Sequence, residues 1–139
     1  KEVRKICGER KNNKIPKLIF LSNMIESKGV LDTLKICNQL NKRNISFDCV
    51  FVGAWQDKDL ESTWKVQVKK YGLEKKCKHL GPKYGNEKKK ILEGVDYLIF
   101  PTKYEKECFP LVILEAFMFG IPVLSYDNGA VKEIISKPL

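Results

Sequence analysis

The sequence predicts one α/β domain in which a parallel sheet carries helices on both faces. Short apolar segments alternate with segments of helical spacing, and this strand-then-helix order recurs five times along the 139 residues. Parallel strands joined in this way need crossovers, which are right-handed almost without exception. We therefore expect the whole chain, residues 1–139, to form a Rossmann-like three-layer sandwich with strand order 3-2-1-4-5.

The first two units are the clearest. Residues 17–21 read as a short buried strand, and residues 29–40 follow with apolar side chains at helical spacing. Residues 46–53 predict the second strand. The helix after it, over residues 60–71, is expected to stop at Gly72 because glycine is the usual residue just past a helix end.

The remaining units are shorter. Each consists of a short apolar segment typical of a strand, followed by a helical segment. The helix of the fourth unit is apolar throughout. The predicted segments are a strand at 77–80, a helix at 87–92 ending at Gly94, a strand at 95–100, and a final strand and helix at 121–125 and 131–135. In such sheets ligands bind beyond the carboxyl ends of the strands, so the first and fourth post-strand loops should carry the chemistry.

Two glutamates flank the start of the helix after the fourth strand. Glu107 precedes Pro110, whose fixed φ suits the first helical turn, so Glu115 should lie inside the helix. Apolar neighbours on both sides of Glu115 predict a buried helix, where an unpaired carboxylate would cost on the order of 2 to 7 kcal/mol. Glu115 should therefore accept hydrogen bonds from a ligand or, in a structural role, pair with Lys103 or Lys28.

The helix start between the two glutamates predicts a phosphate site. The rise from Pro110 to Glu115 is about 7 to 8 Å, and the free N–H groups and dipole of a helix N-terminus attract anions. Lys28 ends the first post-strand loop and faces the same crevice. It either neutralises a diphosphate there or is one more solvated lysine. Sugar hydroxyls on both sides of a diphosphate would fit the glutamates.

Composition argues against nucleic acid as a partner. The net charge is +9, but it comes mainly from dispersed lysines, and the densest run, residues 88–90, falls on a short predicted helix. A positive surface leaves open a peripheral contact of the full-length protein with anionic lipid. No apolar run approaches the ~18 residues that a membrane span requires.

The spacing of the cysteines and carboxylates in the sequence predicts no metal site. The five cysteines form no Cys-x-x-Cys pair and do not cluster with the single His79, which predicts free thiols in a reducing cytoplasm and a packing or surface role for the histidine. Asp57 and Asp59 have the spacing of an Asp-x-Asp metal motif. They fall where the second helix begins, however, so we predict helix capping.

Taken in order along the chain, eight segments resemble one known family. They are residues 20–23, 28–30, 51–53, 79–81, 95–101, 107–116, 120–123 and 129–135. The combination resembles the retaining group 1 (family 4) glycosyltransferases, and specifically the carboxyl-terminal, donor-binding half of their GT-B fold. By this resemblance the chain is a fragment, and the amino-terminal acceptor lobe is absent from it.

The resemblance assigns roles to individual residues. Glu115 would accept from the ribose hydroxyls of the donor nucleotide, Glu107 would contact the donor sugar, and Lys28 would balance the diphosphate charge, so that Lys28 and Glu107 are the catalytic candidates. Asn23 stands where many members carry arginine. The implied substrate-binding residues besides Glu115 are Ser22, Asn23, Gly53, Cys108, Phe109, Pro110 and Leu111.

The implied reaction moves a sugar from a nucleoside-diphosphate donor to an acceptor hydroxyl with retention, without a metal or other cofactor. The resemblance implies surface polysaccharide synthesis in the cytoplasm, at the inner face of a membrane if the acceptor is a lipid-linked saccharide held by the other lobe. The fragment alone should then be inactive. Two alternatives stay open: a nucleotide-sugar-binding module without transfer activity, and a nucleotide-sugar epimerase of the same architecture.

Overall fold

A parallel five-stranded sheet forms the centre of the computed structural model, which describes residues 15–103 and 111–126. The order is β3-β2-β1-β4-β5, as the sequence predicts. The strands are β1 (Lys17–Leu21), β2 (Asp48–Val52), β3 (Cys77–Gly81), β4 (Tyr97–Phe100) and β5 (Val123–Ser125). Because β1 lies between β2 and β4, the direction of strand progression reverses beside it, and a crevice opens there at the carboxyl edge.

Helices cover both faces of this sheet. They are α1 (Val30–Lys42), α2 (Lys58–Lys70), α3 (Gly85–Gly94) and α4 (Leu111–Met118), and a single 3-10 turn, Glu26–Lys28, precedes α1. The predicted helix and strand types are correct throughout the described residues, with ends that differ by a few positions. The predicted final helix at 131–135 lies outside them.

Alternate side chains of the strands supply two separate cores. Phe20 packs towards α1 and α2, where its ring lies 5.7 Å from that of Phe51, which in turn lies 5.1 Å from Trp64. Ile19 and Leu98 face the opposite side, with α3 and α4. All of these side chains except Trp64, at 5% exposure, are 0–1% exposed. Burial of a large apolar side chain contributes about 1.5–3 kcal/mol, so the two cores fix the three-layer arrangement.

The fourth strand begins later than predicted. Residues 95 and 96, which the sequence predicts to belong to it, lie before the strand, and Asp96 instead fixes the start of β1. Its backbone N–H donates to the Lys17 carbonyl at 2.7 Å, and its carboxylate accepts from the Lys17 N–H at 2.8 Å. The side-chain bond replaces one rung of the ladder, which is why regular pairing starts at Tyr97.

The helix α4 is not buried on every face, so that prediction is wrong. Ile113 and Ala116 are fully buried against the sheet, whereas Leu111 and Met118 are each 61% exposed. The apolar run is continuous, but a helix on the outer layer of a sheet presents only one side to the core. Glu115 accordingly keeps 31% of its side chain exposed.

The cysteines of the described region are free thiols. Cys37, Cys49 and Cys77 are buried together between α1, β2 and β3. Hydrogen bonds with Cys37 and Cys77, together with complete burial, raise the pKa of Cys49 well above its ordinary value. Cys49 therefore acts as a small apolar core residue.

Asp57 caps α2, as predicted. Its Oδ1 accepts from the Leu60 N–H at 2.7 Å, and the residue has extended φ and ψ. We expect Asp57→Ala to lower the free energy of unfolding by about 1 kcal/mol, because one N–H of the first turn loses its acceptor. Urea unfolding would measure this.

The matched control for this substitution is Asp59→Ala, which removes a first-turn charge but no cap. It should cost no more than a few tenths of a kcal/mol. A capping role also predicts that EDTA leaves the unfolding curves of both variants unchanged. Equal costs for the two substitutions would contradict it.

Candidate functional site

Three loops meet at the carboxyl edge of the sheet. The loop after β1 is tied to the loop after β2 by the Met24 N–H, which donates to the Ala54 carbonyl at 2.8 Å. It is tied to the loop after β4 by the Lys103 N–H, which donates to the Ser27 carbonyl at 2.7 Å. Backbone bonds of this kind hold the side chains of the three loops in fixed relative positions.

Two glycines make this close approach sterically feasible. Gly53 has φ +151°, and a Cβ added there would lie 1.7 Å from the Ser22 carbonyl oxygen. Gly29 has φ +97°, and its added Cβ would lie 2.4 Å from the Pro101 carbonyl oxygen. Neither position has room for a side chain, so both glycines are required by the junction of the loops.

A cleft of about 150 Å³ opens beside this junction. It lies at the ends of β1, β2 and β3, next to the starts of α3 and α4. It is lined by Leu21, Ser22, Asn23, Val52, Gly53, Ala54, Pro82, Lys83, Tyr84, Lys88 and Val112. The cleft thus brings together Ser22, Asn23 and Gly53, three of the predicted substrate-binding residues.

Glu115 does not itself line this cleft, but it forms an ion pair with a residue that does. Its Oε2 lies 2.6 Å from Nζ of Lys88, a cleft-lining residue of α3, and the two side chains are 31% and 26% exposed. Lys88 was not among the predicted partners of Glu115. A bond of this length between ionised groups is a charge-assisted hydrogen bond, which fixes the orientation of the carboxylate.

Lys103, one of the predicted partners of Glu115, pairs instead with Asp32 of α1. The distance from Lys103 Nζ to Asp32 Oδ2 is 3.2 Å, and the Tyr126 hydroxyl lies 3.5 Å from the same oxygen. The hydrogen bond to Asp32 raises the pKa of Lys103 above its ordinary value. Asp32 thereby links α1 to the residues that follow β4 and β5, a role that its sequence context does not reveal.

Lys28 lies at the end of the 3-10 turn, half-buried and directly before Gly29. Its backbone N–H donates to the Ile25 carbonyl at 3.1 Å. Because Gly29 packs on Pro101, the backbone of Lys28 lies near the reversal point between β1 and β4. Lys28 does not line the cleft, and its contact with a diphosphate stays a prediction. The start of α4 borders the cleft, since Val112 of its first turn lines it.

His79 has a packing role, as predicted. Its Nδ1 accepts from the Trp55 indole N–H at 3.2 Å, and its Nε2 lies 2.8 Å from the Gly53 carbonyl oxygen. A carbonyl can only accept, so Nε2 of His79 is the donor in this hydrogen bond. The histidine therefore holds the backbone of Gly53 in place beneath the cleft.

Four predicted site residues fall outside the described part of the chain: Glu107, Cys108, Phe109 and Pro110. Leu111 lies within it as the first residue of α4 and is exposed. Among residues 15–103 and 111–126, no group of His, Cys, Asp or Glu side chains is arranged to hold a metal ion. In the same residues, no helix has the length and apolarity needed to span a bilayer.

A larger groove, of about 980 Å³, lies between the starts of α1 and α2. Its described lining includes Asp32, Asp57 and Lys103, but none of the predicted site residues. Asp57 is already engaged as a helix cap and Lys103 by Asp32. The smaller cleft is therefore the better candidate, because Ser22, Asn23 and Gly53 line it and the partner of Glu115 does too.

Comparisons with known proteins agree with this architecture. The chain is 20% identical to HepE of Anabaena, solved in complex with UDP, with a TM-score of 0.79 over 98% of this chain and 36% of that one. The carboxyl-terminal domain of LpcC from Francisella tularensis is 23% identical, with a TM-score of 0.76 over 99% of this chain and 70% of that domain. At these identities the likeness shows the fold, which is the predicted Rossmann-like lobe of the GT-B type.

Sequence comparison identifies the family. AmsK of Erwinia amylovora, an amylovoran biosynthesis glycosyltransferase, is 25% identical over 123 residues, which are 86% of this chain and 30% of that protein. The chain therefore spans less than a third of the length of this relative. The profile of the family Glycosyl transferases group 1 matches residues 4–137. The chain belongs to the group 1 glycosyl transferases.

Proposed function

We propose that this chain is the donor-binding domain of a retaining glycosyltransferase that takes a sugar from a nucleoside-diphosphate donor and passes it to an acceptor hydroxyl. The observation that carries the proposal is the ion pair of Glu115 with Lys88, a residue that lines the same cleft as Ser22, Asn23 and Gly53. The UDP bound in the HepE complex supports a nucleotide as the ligand of such a cleft.

In this proposal each feature of the site has a chemical task. Glu115 accepts hydrogen bonds from the ribose hydroxyls, and the first turn of α4 directs its free N–H groups at the diphosphate. Lys28 adds positive charge at the reversal point of the sheet. As the sugar leaves, negative charge develops on the diphosphate, and donors already fixed around it stabilise that charge without reorganising.

Glu107 and the residues after it, which precede α4 in the sequence, complete the proposed site. The acceptor attacks on the face of the sugar from which the diphosphate departs, so the configuration is retained, and a leaving phosphate oxygen takes the acceptor proton. This scheme places no metal and no protein base in this lobe. The acceptor, in our proposal a lipid-linked saccharide on the route to a surface polysaccharide, is bound by the other lobe at the inner face of the membrane.

Binding of nucleoside diphosphates tests this proposal directly. We expect one of UDP, GDP, CDP, ADP or dTDP to raise the unfolding temperature of the chain, since a ligand at ~100 times its Kd stabilises by about 2.7 kcal/mol. For a domain of this size that corresponds to roughly 10 °C. Differential scanning fluorimetry with each nucleotide would measure it.

Inorganic pyrophosphate is the essential control, because a chain of net charge +9 attracts polyanions without specificity. Pyrophosphate should give a small shift that 0.3 M salt removes, whereas the shift with the preferred nucleotide should persist. Equal shifts with pyrophosphate and with all five nucleotides would indicate surface attraction and contradict a nucleotide site. No shift with any nucleotide would contradict donor binding by this domain.

A further inference from the structure

The ion pair between Lys88 and Glu115 joins two elements that are distant in sequence. Two other pairs made by nearby lysines each join residues four positions apart in sequence. They are Lys83 with Glu87, at 3.3 Å, and Lys89 with Glu93, at 4.0 Å. Residues this close in sequence form such pairs readily and gain little from them. The Lys88 pair instead bridges α3 and α4 at 2.6 Å, directly at the cleft.

The pair leaves both partners with unused hydrogen-bonding capacity. Lys88 engages Oε2 of Glu115, and a carboxylate has two oxygens with about four acceptor positions. An ammonium has three donors. The pair can therefore remain intact while Glu115 accepts from a ligand hydroxyl in the cleft.

The positive charge of Lys88 beside Glu115 matters for binding a diphosphate. A carboxylate beside a diphosphate repels it, so a glutamate that reads ribose hydroxyls weakens nucleotide binding unless a cation balances it. With both side chains about a quarter to a third exposed, the two charges are only partly screened by water. Lys88 supplies that balancing charge and restricts the carboxylate to one orientation.

We propose that Lys88 is a positioning residue, which presents Glu115 to the ribose hydroxyls of the nucleotide and makes the site selective for ribose over deoxyribose ligands. This inference rests on the proposed function, because it needs a nucleotide in the cleft. A positioning role of Lys88 differs from a purely structural role in its dependence on the ligand. The benefit of Lys88 must be clearly larger for a ligand that carries the ribose hydroxyls than for one that lacks them.

The test compares UDP with 2′,3′-dideoxy-UDP, or the same pair for whichever base stabilises the wild-type chain, by isothermal titration calorimetry. We expect Lys88→Met to weaken UDP binding about tenfold, the loss typical of one charge-assisted hydrogen bond. Lys88→Arg should restore affinity to within threefold of wild type. The Kd of the dideoxy ligand should rise by no more than about threefold in Lys88→Met, because that ligand loses only the balancing charge and not the ribose contact.

The control variant is Lys89→Met, which removes the adjacent lysine of α3, 61% exposed, and should bind both ligands as wild type does. Unfolding temperatures of all variants show whether each one is folded. Wild-type binding of UDP together with an unchanged Kd in Lys88→Met overturns this inference alone. Equal losses for both ligands also overturn it, since Lys88 would then act on the phosphates. A wild-type chain that binds no nucleotide overturns the proposed function, and this inference with it.

Discussion

Replacement of Gly53 by alanine should lower the free energy of unfolding by at least about 3 kcal/mol, because there is no room for the added methyl group. The added Cβ would lie 1.7 Å from the Ser22 carbonyl oxygen and 2.7 Å from its carbon. Both neighbours are backbone atoms, which cannot rotate away. The φ of +151° adds strain of order 1–3 kcal/mol for a residue with a side chain. Urea unfolding followed by tryptophan fluorescence would measure the loss.

Gly72→Ala is the matched control for this prediction. Gly72 also has positive φ, +67°, but an added Cβ there would meet nothing within 4 Å. Its cost is therefore the backbone term alone, about 1–2 kcal/mol. The difference between the two variants isolates the contact between the loops after β1 and β2. If both variants lose the same amount, the two loops can separate at little cost, and the cleft is not rigid.

The sequence predicted the architecture well because the architecture follows from local patterns. Apolar segments of strand length, the helical spacing in α1 and α2, and the glycine at position 72 each act within a few residues of the chain. The strand order is the common one of the Rossmann-like fold class that this alternation indicates. The loops after β1 and β4 do contact each other at the carboxyl edge. The candidate cleft lies at the ends of β1, β2 and β3, however, so a role of the first and fourth loops in the chemistry stays a prediction.

Where prediction was wrong or incomplete, the cause was contact between distant elements. An apolar run cannot show which side of α4 faces the core, and so the burial of Glu115 was overestimated. The bond from Asp96 to Lys17 shortened β4, and the pair between Lys88 and Glu115 joined two helices. Each of these contacts depends on tertiary packing. Lys88 also stood in a run of three lysines, which concealed it among surface residues.

Loss of the Glu115 carboxylate should abolish nucleotide binding while leaving the fold intact. We expect Glu115→Ala to raise the Kd for the preferred nucleoside diphosphate at least a hundredfold, or about 2.7 kcal/mol, because two ribose hydroxyls lose a charged acceptor. The free energy of unfolding should change by less than about 1 kcal/mol, since the pair with Lys88 is partly exposed. Calorimetric titration and urea unfolding of the same samples separate the two effects. Glu93→Ala, a half-exposed carboxylate of α3 with a lysine partner of its own, is the control and should bind as wild type does.

Binding of pyrophosphate to Glu115→Ala distinguishes a loss of ribose recognition from a loss of electrostatic attraction. Removing a negative charge from the neighbourhood of a diphosphate, and releasing Lys88 from its partner, should by themselves strengthen anion binding. Pyrophosphate should accordingly bind Glu115→Ala at least as well as wild type. A variant that loses the nucleotide but keeps pyrophosphate has lost recognition of the ribose. If Glu115→Ala instead keeps wild-type affinity for the nucleotide, Glu115 is a structural partner of Lys88, and the ribose site must lie elsewhere in the domain.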